Sequence, residues 1–328
     1  MGKQRKYDVL SIGRSSIDLY ANEIGIPFTD VKTFAAYVGG CPTNVSVAAQ
    51  RLNLQTALLT AVGEDYVGDF VLNFLRKEGV DIQFAKRKPE RRTSAFLLAI
   101  EPPDTFSIVP YRDNCSDLQL SIADVLSSPI AESRTIFITG SGLSREPSRG
   151  ATLLAAEKAH TFGTKVIFDL DYRPEMWPDK SAFGQAIQSG FKMADVVLGT
   201  TDEFEKAMPN TFTKGEKWTA SENGIDAVLS MGAEVVVVKR GAQSTLVYTR
   251  SGEQWAVPTF PVKVLNVLGA GDAFAGGFLY GYLKGWEMYR AVRMGNACGA
   301  IVVTRHGCAN FMPYEEEVVS FIEERGGV

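Results

Sequence analysis

Val267-Leu268-Gly269-Ala270-Gly271-Asp272-Ala273-Phe274-Ala275-Gly276-Gly277 is the stretch on which the reading of this sequence turns. Before it, short apolar runs alternate with segments of helical period. After Gly271 the pattern becomes helix upon helix, through Tyr282, Ala291–Thr304 and Tyr314–Glu324. Within the stretch, three small residues precede an acidic one and a helix-forming run follows. Small residues let backbone N–H groups face an open cavity at a helix N-terminus, where the helix dipole favours anions. A carboxylate is a poor neighbour for a phosphate there. It makes sense if Asp272 takes a proton from an attacking hydroxyl while the N–H groups stabilise a transferring phosphoryl group. Aspartate is also among the best helix N-caps, and spacing alone leaves both readings open.

Toward the N-terminus, Tyr7–Gly13, Thr56–Val62, Thr135–Gly140, Lys165–Asp169, Asp195–Gly199 and Glu234–Lys239 read as buried strands, brief, β-branched and bounded by glycine or charge. Thr43–Leu52, Tyr66–Glu78, Pro147–Phe162 and Ala182–Phe191 read as the amphipathic helices between them. This βαβα rhythm predicts an α/β fold with a mostly parallel central sheet flanked by helices on both faces. Ile17–Val38 and Arg92–Arg112 break the rhythm: both hold strand-like pieces with no crossover helix, and Glu101-Pro102-Pro103-Asp104 is a turn signal. They read as a small β-sheet lid, formed by about 14–38 and 92–112, although edge hairpins would leave the same pattern. No repeat or linker divides the chain, so residues 1–328 are expected to form a single domain.

Bulk properties narrow the function. The 328 residues are 45% hydrophobic and 22% charged with a net charge of −4, which predicts no nucleic-acid partner and no attraction to an anionic membrane. Cys41, Cys115, Cys298 and Cys308 form no C-x-x-C pair and only His160 and His306 accompany them, so neither a zinc site nor a disulfide framework is expected. The basic start Met1–Tyr7 is followed by no signal-peptide core, and Lys6 stands where a myristoylation motif beginning at Gly2 needs Ser or Thr. A soluble, cytoplasmic protein is the expectation.

Two further features carry chemistry. Tyr37-Val38-Gly39-Gly40-Cys41-Pro42-Thr43-Asn44 runs into a helix; a Gly-Gly pair lets backbone approach a ligand, and Asn44 can both donate to and accept from a hydroxyl. A plain turn and cap would read the same way. Asp18 follows the first strand, where the ligand crevice of an open α/β sheet lies, and a carboxylate suits adjacent hydroxyls.

Together, Gly13-x-x-x-x-Asp18, Gly39-Gly40-x-x-x-Asn44 and Gly269-Ala270-Gly271-Asp272 resemble the signature set of the ribokinase-like (PfkB) carbohydrate kinase family, in order over nearly the whole chain. The resemblance implies a ribokinase-like fold whose β-sheet lid closes over a sugar, with ATP and Mg²⁺ as cosubstrate and metal. It assigns Asp18, Gly39, Gly40 and Asn44 to the substrate, Gly269, Ala270 and Gly271 to an anion hole, and Asp272 to catalysis as base. Glu203 of Thr200-Thr201-Asp202-Glu203 falls where the family has Asn-x-x-Glu and implies a metal role through water, while Thr-x-x-Glu is also a capping box. Lys239 and Gly241 fall at a strand end near the nucleotide, with Ser244 replacing a second glycine, and Asn296 falls on an adenine-contacting helix. Asn266-Val267 replaces the Asp-Thr common in the family, which leaves monovalent-cation activation open. Lids of the family pair across a dimer in some members, so a homodimer through the lid is open too.

Tyr111-Arg112-Asp113 and Phe168–Trp177 each set an arginine at a strand end. A guanidinium matches carboxylate geometry through its planar fork, so Arg112 and Arg173 are candidates for an acidic substrate; ion pairs with Asp113 or Asp169 would serve them equally. These segments resemble family members acting on acid sugars, and Ile12–Leu19, Tyr111-Arg112-Asp113 and Arg305–Pro313 resemble those for 5-dehydro-2-deoxygluconate ahead of 2-keto-3-deoxygluconate. Two rivals stand beside this reading. One is a non-catalytic sugar- or nucleotide-binding regulator, against which Asp272 and Glu203 count. The other is a dinucleotide-dependent dehydrogenase, against which the missing G-x-G-x-x-G counts.

Overall fold

Strands covered by helices on both faces must be apolar at successive positions, and Thr56–Leu59 is buried at every one. The computed structural model describes residues 5–209 and 224–327, so Gly2 lies outside the described residues. The chain opens with strands β1 (Tyr7–Ile12), β2 (Ser16–Ala21) and β3 (Phe34–Gly39), then helix α1 (Cys41–Arg51), β4 (Thr56–Leu59), β5 (Ala61–Gly63) and α2 (Tyr66–Glu78). There follow β6 (Lys86–Lys88), β7 (Ser94–Glu101), β8 (Thr105–Tyr111), α3 (Ile122–Leu126), β9 (Ser133–Thr139) and α4 (Ser148–Phe162). Next come β10 (Lys165–Asp169), α5 (Lys180–Phe191), β11 (Val196–Thr200), α6 (Thr201–Ala207), α7 (Ile225–Met231) and β12 (Val235–Lys239). The chain ends with β13 (Thr245–Thr249), β14 (Gln254–Val257), α8 (Ala270–Leu283), α9 (Met288–Val302) and α10 (Glu315–Glu323).

The main sheet has the order β14-β13-β12-β11-β10-β9-β1-β4. It is parallel from β4 to β12 and turns antiparallel for β13 and β14. Neighbouring residues face opposite layers, as the pleat requires. Leu10, Ile138, Phe168 and Val236 pack in one core beside α4, α5 and α7, whereas Val9, Phe137, Ile167 and Val237 pack in the other beside α1, α8 and α9.

The two segments outside the rhythm make a separate four-stranded sheet in the order β3-β2-β7-β8. They are not independent hairpins: β2 pairs parallel with β7, which joins chain pieces about residues 16–39 and 94–111 into one surface. The β13–β14 ribbon was absent from the sequence expectation, because its edge strand Gln254–Val257 has little burial to pattern it. Helix α1 begins two residues earlier than expected, since Pro42 sits in its first turn, where a missing N–H costs nothing. Among the described residues no helix is long and apolar enough to cross a membrane, and all four cysteines are free.

Candidate active site

The carboxyl ends of β1, β9, β10, β11 and β12 open toward the first turns of α1 and α8. Helix α8 starts at Ala270, and Gly269, with a φ of +82°, is the capping residue before it. Asp272 therefore stands in the third helical position and is no cap, which removes the alternative that spacing had left open. Its carboxylate is buried, and its Oδ2 accepts a hydrogen bond of 2.7 Å from Asn44 Nδ2 on α1. Burial first, and then Asp171, raise its pKa above the usual carboxylate value; bonds from Cys41 and Asn44 and the charge of Arg173 oppose the rise. Asn44 Oδ1, also buried, has no hydrogen-bond partner among the described residues and is an open acceptor beside that carboxylate. Helices α1 and α8 meet closely because Gly276 lacks a side chain; a Cβ there would lie 2.5 Å from Ala48 Cβ.

Asp18 comes from β2. Its Oδ1 accepts from Ser16 Oγ at 2.8 Å, and burial raises its pKa against the opposing charge of Arg14. The glycine pair is explained by this carboxylate and by the loop that precedes it. A Cβ on Gly39 would lie 1.9 Å from Asp18 Oδ2, and one on Gly40, where φ is +103°, would lie 2.4 Å from the Arg14 carbonyl oxygen. Both glycines keep room for Asp18 and its supporting loop, so they act on the site through it. At α8 the Ala270 N–H donates to the Val267 carbonyl at 3.3 Å, which removes it from the open donors of the helix terminus. A Cβ on Gly271 would lie 3.2 Å from Lys239 Nζ, so an ammonium group stands against this helix N-terminus. Cation and dipole together favour an anion.

A chain of charges links the strand ends. Lys239 Nζ bonds Asp169 Oδ2 at 2.8 Å, and Arg173 Nε lies 3.0 Å from Asp171 Oδ1. Ser141 Oγ donates to Asp171 Oδ2 at 2.6 Å. Burial raises the Asp169 pKa, with Lys239 opposing, whereas Asp169 and Glu203 raise that of Lys239 against burial. Glu203 forms the capping box of α6: its Oε2 accepts from Thr200 N at 2.6 Å and its Oε1 from Tyr172 N at 2.9 Å. Among the described residues no group of three or more His, Cys, Asp and Glu is arranged to hold a metal ion. The residues fit a Mg²⁺ that brings most of its oxygen ligands with it, held by water and phosphate beside one or two carboxylates.

Beyond Gly271 a cavity of about 570 Å³ is lined by Lys239, Gly241, Phe260, Phe274 and Asn296 among others. Asn296 accepts from Thr245 Oγ1 at 2.7 Å and donates to Pro258 O at 3.1 Å. Its amide thus builds the cavity wall. Arg112 is not gathered into this centre by any bond: its fork is given to Asp117, which Ser94 also contacts. Neither arginine takes the ion-pair partner weighed from sequence, since Asp117 and Asp171 lie nearer than Asp113 and Asp169. Asp171, held at a positive φ of 37°, and Arg14, 8% exposed, are site-flanking groups to which the sequence reading gave no role of their own, although it singled out the segments that hold them. Their positions two residues past β10 and β1 were the available signal.

Comparison with known protein families matches residues 6–315 to the pfkB family carbohydrate kinase. The chain belongs to this family. It is 35% identical to the 5-dehydro-2-deoxygluconokinase of Clostridium tetani, over 98% of this chain and 95% of that protein. It is 33% identical to the protein of the same name from Geobacillus thermodenitrificans, over 98% and 94%. Among solved structures it resembles a Xylella fastidiosa fructokinase with bound ATP, with a TM-score of 0.85, 26% identity and coverage of 98% and 99%. It also resembles a protein described as a ribokinase II from E. coli, in complex with ATP and Mg²⁺, with a TM-score of 0.86, 26% identity and coverage of 97% and 99%. The fold is ribokinase-like, and the pfkB chain is an ATP-dependent sugar kinase.

Proposed function

We propose that this kinase phosphorylates a hydroxyl of 5-dehydro-2-deoxygluconate, an acid sugar, with ATP–Mg²⁺ as donor. The substrate comes from the relatives of that name, which align end to end with this chain. The observation that carries the mechanism is the buried carboxylate of Asp272 in the first turn of α8, held by Asn44 and with its pKa raised by burial. Asp18 and the open Oδ1 of Asn44 hold substrate hydroxyls. Asp272 accepts the proton as the substrate oxygen attacks the γ-phosphorus; the bond to the β-phosphate oxygen breaks, and ADP leaves with the electron pair. The N-terminus of α8, with Lys239 beside Gly271, steadies the transferring charge. ATP occupies the cavity walled by Gly241 and Asn296, and Mg²⁺, when bound, neutralises phosphate charge near Glu203 and Asp169. The four-stranded sheet is the lid that excludes water, so that ATP is not simply hydrolysed.

The test is ATP consumption by the purified protein with Mg²⁺ against 5-dehydro-2-deoxygluconate, 2-keto-3-deoxygluconate, ribose and fructose. The expected result is the highest kcat/KM for the first. A preference for 2-keto-3-deoxygluconate would move the reading to the other acid sugar, and a neutral sugar in first place would overturn it. No turnover with any sugar, alongside saturable ATP binding, would favour a non-catalytic regulator.

A further inference from the structure

Arg14 is 8% exposed, yet among the described residues no carboxylate lies within ion-pair distance of it. Among these residues its Nη1 makes one long bond, 3.3 Å to Ser16 Oγ, and its buried Nε has no partner. The plane of the group is set all the same: its Cζ lies 4.5 Å from the centre of the Phe96 ring. Phe96 is in turn the register partner of Asp18 across the β2–β7 pair, so ring and carboxylate share one face of the sheet. The Arg14 backbone is tied down as well, because its carbonyl accepts from Thr43 Oγ1 at 3.0 Å in the first turn of α1. A guanidinium removed from water without an anion is costly, and evolution of a stable fold alone would favour an apolar residue here. The other two arginines of the region are already matched, Arg112 to Asp117 and Arg173 to Asp171.

We infer that Arg14, seated on Phe96 beside Asp18, is the residue that receives the carboxylate of the acid-sugar substrate. With Nε sealed in the interior, its two Nη groups form the planar end that a carboxylate meets through two parallel bonds. The Ser16 hydroxyl, placed between Arg14 and Asp18, separates the subsite for the acid group from the subsite for hydroxyls. Asp18 supplies part of the countercharge for Arg14 before substrate arrives, at a separation longer than an ion pair. This assignment rests on the acid-sugar reading proposed above and names the residue that enforces it.

The experiment measures kcat/KM for 5-dehydro-2-deoxygluconate and for its carboxamide, in which the acid group alone is neutralised, with the unaltered enzyme, Arg14→Met and Arg14→Lys. The unaltered enzyme is expected to prefer the acid. In Arg14→Met that preference should fall by about 100-fold toward parity, while the Kd for ATP stays within about threefold. Arg14→Lys, which keeps the charge and much of the length, should recover part of the preference, and it carries the test if the methionine variant fails to fold. If both variants lose acid and amide turnover in equal proportion, Arg14 merely steadies Asp18 and the assignment is overturned, while the acid-sugar reading stands. If the unaltered enzyme treats acid and amide alike, the acid-sugar reading itself fails and the assignment with it.

Discussion

Asp272→Asn separates proton transfer from everything else Asp272 does. The asparagine has nearly the same shape, and its side-chain oxygen can still accept the bond that Asn44 Nδ2 now makes at 2.7 Å. Arg173 loses a neighbouring charge but keeps Asp171 at 3.0 Å. The fold therefore has no reason to loosen. Because burial already pushes this carboxyl toward its neutral form, the neutral amide should leave the melting temperature unchanged or raise it. The rate is another matter. Loss of a positioned general base removes about 10²- to 10⁴-fold, or about 3–5 kcal/mol of barrier lowering. Affinity for ATP should hold or improve, since a negative charge has left the neighbourhood of the phosphates. Coupled ADP release gives kcat and KM, calorimetric titration gives the ATP affinity, and a thermal melt gives stability. A kcat within about tenfold of the unaltered enzyme would refute the assignment of Asp272 as base. A large loss accompanied by a lower melting temperature and lost ATP binding would refute it too, by showing that the residue holds the site together.

The pH dependence follows from the same burial. The base must be ionised, burial favours its protonated form, and so kcat/KM should fall with decreasing pH along a limb lying above the ordinary aspartate value of about 4; a limb at that value would contradict the desolvated site. Gly39→Ala should drive a Cβ into Asp18 Oδ2, now 1.9 Å from its place, costing about 1–3 kcal/mol in denaturant unfolding and raising the sugar KM at least about tenfold with the ATP KM unmoved. Unchanged sugar kinetics would mean that Asp18 does not touch substrate. Lys239→Met leaves Asp169 buried and unpaired, for an expected loss of about 3–5 kcal/mol, and adding Asp169→Leu should return most of that stability without returning activity.

How far the sequence reached depended on how local each cause was. Helix α2 occupies Tyr66–Glu78, the limits expected of it, because Asp65 caps one end and Gly79 in the left-handed region closes the other. The βαβα order, the parallel sheet and the family were likewise legible, since strand and helix periods are written residue by residue. Even the small sheet showed as two breaks in the rhythm, though not that β2 would pair with β7 to make one surface. What the sequence could not decide was which charged and polar groups share a space. Asp272 and Asn44 are 228 residues apart in the chain and 2.7 Å apart in the fold. Gly39 is glycine because of a carboxylate on another strand, and Arg112 pairs with Asp117 where proximity in sequence favoured Asp113. Asp272 itself, a cap or a base on spacing alone, lost the first alternative when Gly269 took the capping position, and the burial of its carboxyl group supports the proposed second. Ionisation and pairing follow distance and dielectric, which chain separation does not encode; only the packed structure sets them.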